Sequence, residues 1–155
     1  MFNYQIIIEY LGTNYVGWQI QNNGVSIQSI IQKTLNKVLR SKIKIIGSGR
    51  TDAGVHAKAQ IINIKTELII NYKTINSLNK ILGSKISINS FKTVNDSFHA
   101  RYDAFERTYK YFVSDINQQY PYLSSQSYIY PKKLDLNKLN YFCLLYTSDA
   151  ADENP

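Results

Sequence analysis

The sequence holds a single cysteine, Cys143, and only two histidines, His56 and His99. One thiol excludes a disulfide framework and a zinc site built on several cysteines, and these few scattered residues indicate no metal site. No apolar run approaches the roughly 18 residues that a membrane span needs. The start, Met1 to Tyr10, carries Gln5 and Glu9 within its apolar stretch and no basic residue, so it does not read as a secretory signal. The mark of disorder, low hydrophobicity with high charge, is also missing: 44% of the 155 residues are hydrophobic and 19% charged. These absences point to a soluble protein of a reducing compartment, the cytoplasm, with one domain of ordinary size or a domain plus a fragment.

Acidic residues are the other scarcity. Asp149, Asp152 and Glu153 lie in a C-terminal stretch without cations, so residues 1–143 carry 18 Lys and Arg against 8 acids, a net +10 (18 − 8). A basic domain with 13% aromatics, thirteen tyrosines among them, suits nucleic acid. Cations neutralise phosphate, and rings stack on bases. The same charge also serves plain solubility, and composition does not choose between the two.

Hydrophobic periodicity lays out the elements. Phe2–Tyr10 alternates, with Tyr4, Ile6, Ile8 and Tyr10 on one side, and reads as a strand. Leu11–Gly24 is rich in turn residues and reads as a loop. Ser26 is a fitting N-cap for an amphipathic helix carried by Ile27, Ile30, Ile31, Leu35, Val38 and Leu39. Lys42–Ile46 reads as a short strand, Gly47–Ala57 as a loop and Ala59–Thr66 as an alternating strand. Ile75, Leu78, Ile81 and Leu82 mark a second helix, closed by Gly83. Lys85–Val94 and Phe105–Ser114 read as strands, Asp115–Pro131 as turn-rich, and Leu134–Leu145 as a third helix with Cys143 buried on it. The order predicts an α+β fold: an antiparallel sheet with helices on one face and the other face free for a ligand. Tyr146–Pro155 switches abruptly to Thr, Ser, Asp, Ala and Glu, and reads as a vector-derived or fusion end outside the fold.

The densest chemical signal is Gly47-Ser48-Gly49-Arg50-Thr51-Asp52-Ala53-Gly54-Val55-His56-Ala57. Its glycines allow unusual backbone angles and close approach of a ligand. Arg50 and Asp52 can pair across a tight turn, and a neighbouring guanidinium keeps a carboxylate ionised when substrate buries it. The loop therefore offers an oriented, desolvated carboxylate. On these grounds alone, a tight turn with a surface ion pair is the simpler reading.

The string Gly49 to Ala57 resembles the active-site loop of the TruA family of pseudouridine synthases, which act on transfer RNA. Three further segments carry the same resemblance. Glu9-Tyr10-Leu11-Gly12-Thr13-Asn14-Tyr15-Val16-Gly17-Trp18-Gln19 is similar to the family's first strand and following loop, with Leu11 where an Asp is common. Phe98-His99-Ala100-Arg101 matches a further signature. Arg107-Thr108-Tyr109-Lys110-Tyr111 resembles the strand that brings the active-site tyrosine, here Tyr111.

The resemblance implies an RNA-recognition or ferredoxin-like half-domain over residues 1–145, with the family's second half absent and residues 146–155 as the atypical tail. It implies isomerisation of uridine to pseudouridine in the anticodon stem–loop, at positions of about 38–40, on a flipped-out base and without cofactor or metal. Asp52 would be the essential carboxylate; attack on the sugar, attack on C6 of the base and abstraction of a sugar proton stay open as its role. Arg50 would pair with Asp52 and hold RNA, Tyr111 would stack on the uracil, Arg107 would meet phosphate from the same strand face, and Arg101 would reach RNA. His56 would shape the loop, His99 would be structural, and Trp18 a core or hinge aromatic. The partners would be transfer RNA and a second copy of the chain, with no membrane. Half of such an enzyme is expected to turn over weakly or not at all; the alternative is a module or inactive fragment that grips RNA without chemistry.

Overall fold

A computed structural model describes residues 1–115, 121 and 126–142. Cys143 and the tail 146–155 lie outside the described residues, as does part of the turn-rich stretch. The chain divides into two compact units, Met1–Glu106 and Arg107–Pro155.

The first unit contains β1 (Phe2–Tyr10), α1 (Ile27–Leu39), β2 (Ile45–Gly47), β3 (Ala57–Thr66), α2 (Tyr72–Leu82) and β4 (Ile86–Val94). Its four strands form one sheet in the order β2-β3-β1-β4, antiparallel throughout. Alternation in β1 sends Tyr4, Ile6, Ile8 and Tyr10 to one face, and all four are buried. They share a core with Ile27, Ile31 and Leu35 of α1 and with Ile75, Leu78 and Leu82 of α2. Both helices therefore cover the same face of the sheet, as the order of elements predicts.

The helix ends follow the local chemistry. Ser26 caps α1 by accepting from the Ser29 amide at 3.2 Å, and Asn71 caps α2 by accepting from the Thr74 amide at 3.0 Å. Gly83 closes α2 with φ +74° and donates to the Asn79 carbonyl. An irregularity in the β1–β4 register falls between Ile7 and Ile8. There Asn79 of α2 bonds both the N–H and the C=O of Ile88, at 2.7 and 3.0 Å.

The opposite sheet face is not wholly free. Asn3 and Asn63, on adjacent strands of that face, are fully buried beneath the segment following β4. The Asn3 amide donates to the carbonyls of Asn95 and Phe98, both at 2.9 Å, and the Ala100 amide donates to Asn63 Oδ1 at 2.9 Å. A polar pair on an outward face buries because a returning turn satisfies it.

In the second unit β5 (Phe112–Asp115) pairs in parallel with β6 (Ser127–Tyr130). The strand predicted from Phe105 thus begins only at Phe112, and Arg107, Tyr109 and Tyr111 do not share a strand face. The reason lies in the side chains: Arg-Thr-Tyr-Lys-Tyr has no apolar face to bury, and Tyr109 and Tyr111 are 63% and 89% exposed. Residues 136–142 are helical, capped by Asp135, which accepts from the amides of Asn137 and Lys138 at 3.1 Å each. Among the described residues no helix is long and apolar enough to cross a membrane.

The core assignment has a direct check. Leu78→Ala, at a fully buried position, should cost about 2–5 kcal/mol in urea unfolding. Ile81→Ala, on the 48% exposed side of the same helix, should cost about 1 kcal/mol or less.

Candidate active site

The loop 48–56 leaves β2, turns at the sheet edge and re-enters as β3. Its first part is tied back to β3: the Ser48 amide donates to the Ile61 carbonyl at 2.8 Å, and buried Gln60 donates to the Gly49 carbonyl at 2.7 Å. Asp52 opens a turn in which its carbonyl accepts from the Val55 amide at 3.2 Å.

The rest of the loop is held by the preceding one. The Thr51 carbonyl accepts from the Trp18 amide at 2.9 Å, and the Thr51 hydroxyl bonds the Tyr10 phenol at 2.9 Å. The Gly54 amide donates to the Tyr15 carbonyl at 3.3 Å. The Gly12 amide donates to His56 Nδ1 at 2.9 Å. Asp52 is bracketed on both sides by these bonds.

Two glycines make the fit possible. A Cβ on Gly12 would lie 2.0 Å from the Val55 carbonyl oxygen. A Cβ on Gly17, whose φ is +102°, would lie 2.6 Å from the Thr51 carbonyl oxygen and 3.1 Å from the Asp52 carbonyl carbon. Backbone packs on backbone directly behind the carboxylate-bearing residue. The bracing loop is itself fixed, because the carbonyls of Gly17 and Trp18 accept from the first amides of α1, Ile27 and Gln28, at 3.1 Å each.

The loop carries Arg50 and Asp52 together, both exposed. They do not form the expected ion pair: no salt bridge joins the two side chains. The carboxylate is also in water rather than desolvated. At that exposure water solvates both charges, and a pair would contribute little. Arg101 lies in the turn that covers Asn3 and Asn63, in the same unit as Asp52. Arg107 and Tyr111 belong to the second unit, where they precede β5.

A family model described as tRNA pseudouridine synthase matches residues 6–103. The chain belongs to the tRNA pseudouridine synthase family. The protein named tRNA pseudouridine synthase A of Pelagibacter ubique is 49% identical over 116 residues, which are 73% of this chain and 47% of that protein. The one of Thermoanaerobacter is 40% identical over 138 residues, 88% of this chain and 56% of its own. The one of Bacteroides thetaiotaomicron is 40% identical over 141 residues, 90% and 52%. The chain spans about half the length of these curated relatives.

Within this tRNA pseudouridine synthase fold, several residues support the loop in ways that hydrophobic periodicity does not show, even where, as at Tyr10, the periodicity places the residue. Tyr10, Thr51 and Gln60 hold the loop through hydroxyl and amide groups that a count of apolar positions ignores. A charge pattern also marks this stretch: no Asp or Glu stands between Glu9 and Asp52, while Lys33, Lys37, Arg40, Lys42, Lys44 and Arg50 do. All six cations are exposed. Among the described residues no group of three potential metal ligands stands together.

Tyr10 links the site to the core. It is 1% exposed, its ring stacks on Trp18 at 6.1 Å, and burial pushes its phenol above the usual tyrosine range, against a smaller lowering by the Thr51 bond. A raised folded-state value means that stability is full below the unfolded pKa of about 10 and is lost as pH rises through the folded one. Urea unfolding between about pH 8 and 11 should therefore show a steeper alkaline loss in wild type than in Tyr10→Phe. Gly17→Ala should force the Asp52 backbone outward, which hydrogen exchange would read as lost protection at the Trp18 amide.

Proposed function

We propose that this chain carries the carboxylate-bearing half of an enzyme that isomerises uridine to pseudouridine in the anticodon stem–loop of transfer RNA. One observation carries the reading: in a chain of this family, the braced loop leaves Asp52 exposed, two residues from exposed Arg50.

The target base lies inside a helical stack, and the deep, narrow A-form groove admits no side chain. It must be extruded, at a cost of a few kcal/mol. A single aromatic stack returns about 1–3 kcal/mol, and the exposed Tyr111 ring can provide it. Arg107, Arg101 and Arg50 would meet phosphate, which carries no sequence information but fixes register. Once RNA covers the loop, water leaves, and the attraction between Arg50 and Asp52 strengthens as the local dielectric falls. The ion pair would then form on the RNA complex.

The reaction is an isomerisation. The C1′–N1 bond breaks, the uracil turns, C5 joins C1′, and the C5 proton is lost while N1 gains one. Asp52 serves it by attack on the sugar, attack on C6 or abstraction of a sugar proton. Tyr111 would assist loss of the C5 proton from the base on which it stacks. The chemistry calls for neither metal nor cofactor. The reading includes a cytoplasmic homodimer with RNA spanning both subunits.

The second reading is an RNA-binding module without turnover, favoured by the chain's covering about half of its relatives. Tritium release from C5-labelled uridine in transfer RNA separates the two. It is measured for this chain and for any longer gene product containing it. This chain alone should release little or none. The longer product should release tritium and lose that release in Asp52→Ala while RNA affinity persists. Equal release by the Asp52→Ala variant would refute the assignment. The log of affinity should fall linearly with the log of salt concentration; a flat line would leave the basic surface as a solubility device.

A further inference from the structure

The turn 95–103 is held more firmly than its exposure requires. Beyond the bonds given above, Asn63 Nδ2 donates to Asn3 Oδ1 at 3.0 Å and to the Phe98 carbonyl at 3.4 Å. The two buried amides thus satisfy each other and bind three carbonyls and one amide of the turn. Lys65 adds its ion pair to Asp96. Such a closed buried network fixes geometry, since each lost bond would leave an unsatisfied group.

What the turn presents is an aromatic platform. The rings of His99 and Tyr102 stack at 4.2 Å with planes 22° apart. The His99 amide donates to Asp103 Oδ2 at 2.9 Å, the Asp103 amide returns to the His99 carbonyl at 2.9 Å, and the Tyr102 amide donates to His99 Nδ1 at 3.3 Å. Tyr102 remains 78% exposed. With one ring face against His99, exposure on that scale leaves the other face to solvent. Arg101 precedes it and is exposed as well.

We propose that the outer face of Tyr102 stacks on an unpaired RNA base, with Arg101 at the neighbouring phosphate, and that Asn3 and Asn63 are positioning residues for this platform. The proposal rests on the RNA-binding reading above and adds a second contact to it. Asn63 lies six residues beyond Ala57 on β3, about 20 Å along the strand from the end where the Asp52 loop joins it. The base on Tyr102 is therefore a different nucleotide from the one offered to Asp52. A ring already stacked and locked loses little freedom on binding, which favours affinity. RNA fits better than a protein partner because the platform couples a flat ring to a guanidinium, and base stacking on aromatics tolerates any sequence.

The test is binding of the full chain to a synthetic anticodon stem–loop RNA over a range of salt, with thermal unfolding of each variant. One loop base is replaced by 2-aminopurine to report stacking. Tyr102→Ala should weaken affinity by between about fivefold and a hundredfold with an unchanged salt slope. It should keep wild-type Tm and lose the fluorescence quench, whereas Tyr102→Phe should keep both affinity and quench. Arg101→Ala should lower the salt slope by about one. Asn63→Leu should weaken binding as Tyr102→Ala does, with no further loss in the double variant. If Tyr102→Ala binds like wild type while wild type binds the RNA, the platform falls and the RNA reading stands. If wild type shows no salt-dependent binding, the RNA reading falls and takes the platform with it. Should Asn63→Leu fail to fold, the Ala and Phe variants of Tyr102 decide the stacking claim alone.

Discussion

The position of Asp52 depends on its neighbour, Thr51. That residue is held twice, through its carbonyl by the Trp18 amide and through its hydroxyl by the Tyr10 phenol. Trp18 and Tyr10 are both core residues, stacked on one another, and a Cβ on Gly47 would lie 2.8 Å from the Trp18 ring. A path of direct contacts therefore runs from the hydrophobic core through two rings and one hydroxyl to the residue before the carboxylate. Loops that carry chemistry are ordinarily the first parts of a fold to open. Here two of the loop's holding bonds end on buried core residues, Trp18 and Tyr10, so the loop's position rests on hydrogen bonds backed by core packing.

The charges behave in the opposite way. Arg50 and Asp52 stand exposed and unbridged, each solvated by water. Coulomb attraction at 4 Å is about 1 kcal/mol in bulk water and several times that at a partly buried site. A pair formed in advance would be weak and would hold two side chains in one geometry. On the proposed reading, a pair formed under a nucleic-acid lid would gain strength when the base arrives. The rigid backbone with solvated side chains separates two tasks: the fold places the Cα of Asp52, and on the proposed reading the ligand would complete the electrostatics.

Much of this was legible in the residues. The alternation in Phe2–Tyr10, the serine before Ile27 and the glycine after Leu82 report local geometry, and the element ends fall where those signals stand. The loop motif placed Arg50 and Asp52 together. The misses have physical causes. Alternation through Arg107, Tyr109 and Tyr111 is periodic without being amphipathic, and period alone does not bury a face. The Arg50–Asp52 pair was argued from spacing, which permits contact but says nothing about hydration. Asn63 looked like an ordinary outward residue of a strand. Its role depends on a turn more than thirty residues later in the chain, a long-range contact that no local pattern encodes.

The two faces of the sheet bear on the proposed RNA partner from a different direction. One face contributes isoleucines and tyrosines to a dry core. The other presents Gln5, Ile7 and Glu9 from β1, Lys65 and Ile61 from β3, and Lys92 and Ser90 from β4, paired across the strands by register. The surface is mixed, with its two isoleucines half-buried and its lysines exposed. A second protein layer would require an apolar seam there, as sheets packed on both faces show. Without that seam, covering this face with a protein layer would leave charges to be matched one by one. A phosphate-bearing ligand would meet exposed Lys92 favourably, through counterion release, while Lys65 is already paired with Asp96, and would need only scattered rings to seat its bases. The polar anchor at Asn3 and Asn63 therefore belongs to the same design: it fastens a turn to a face that has no apolar means of holding one.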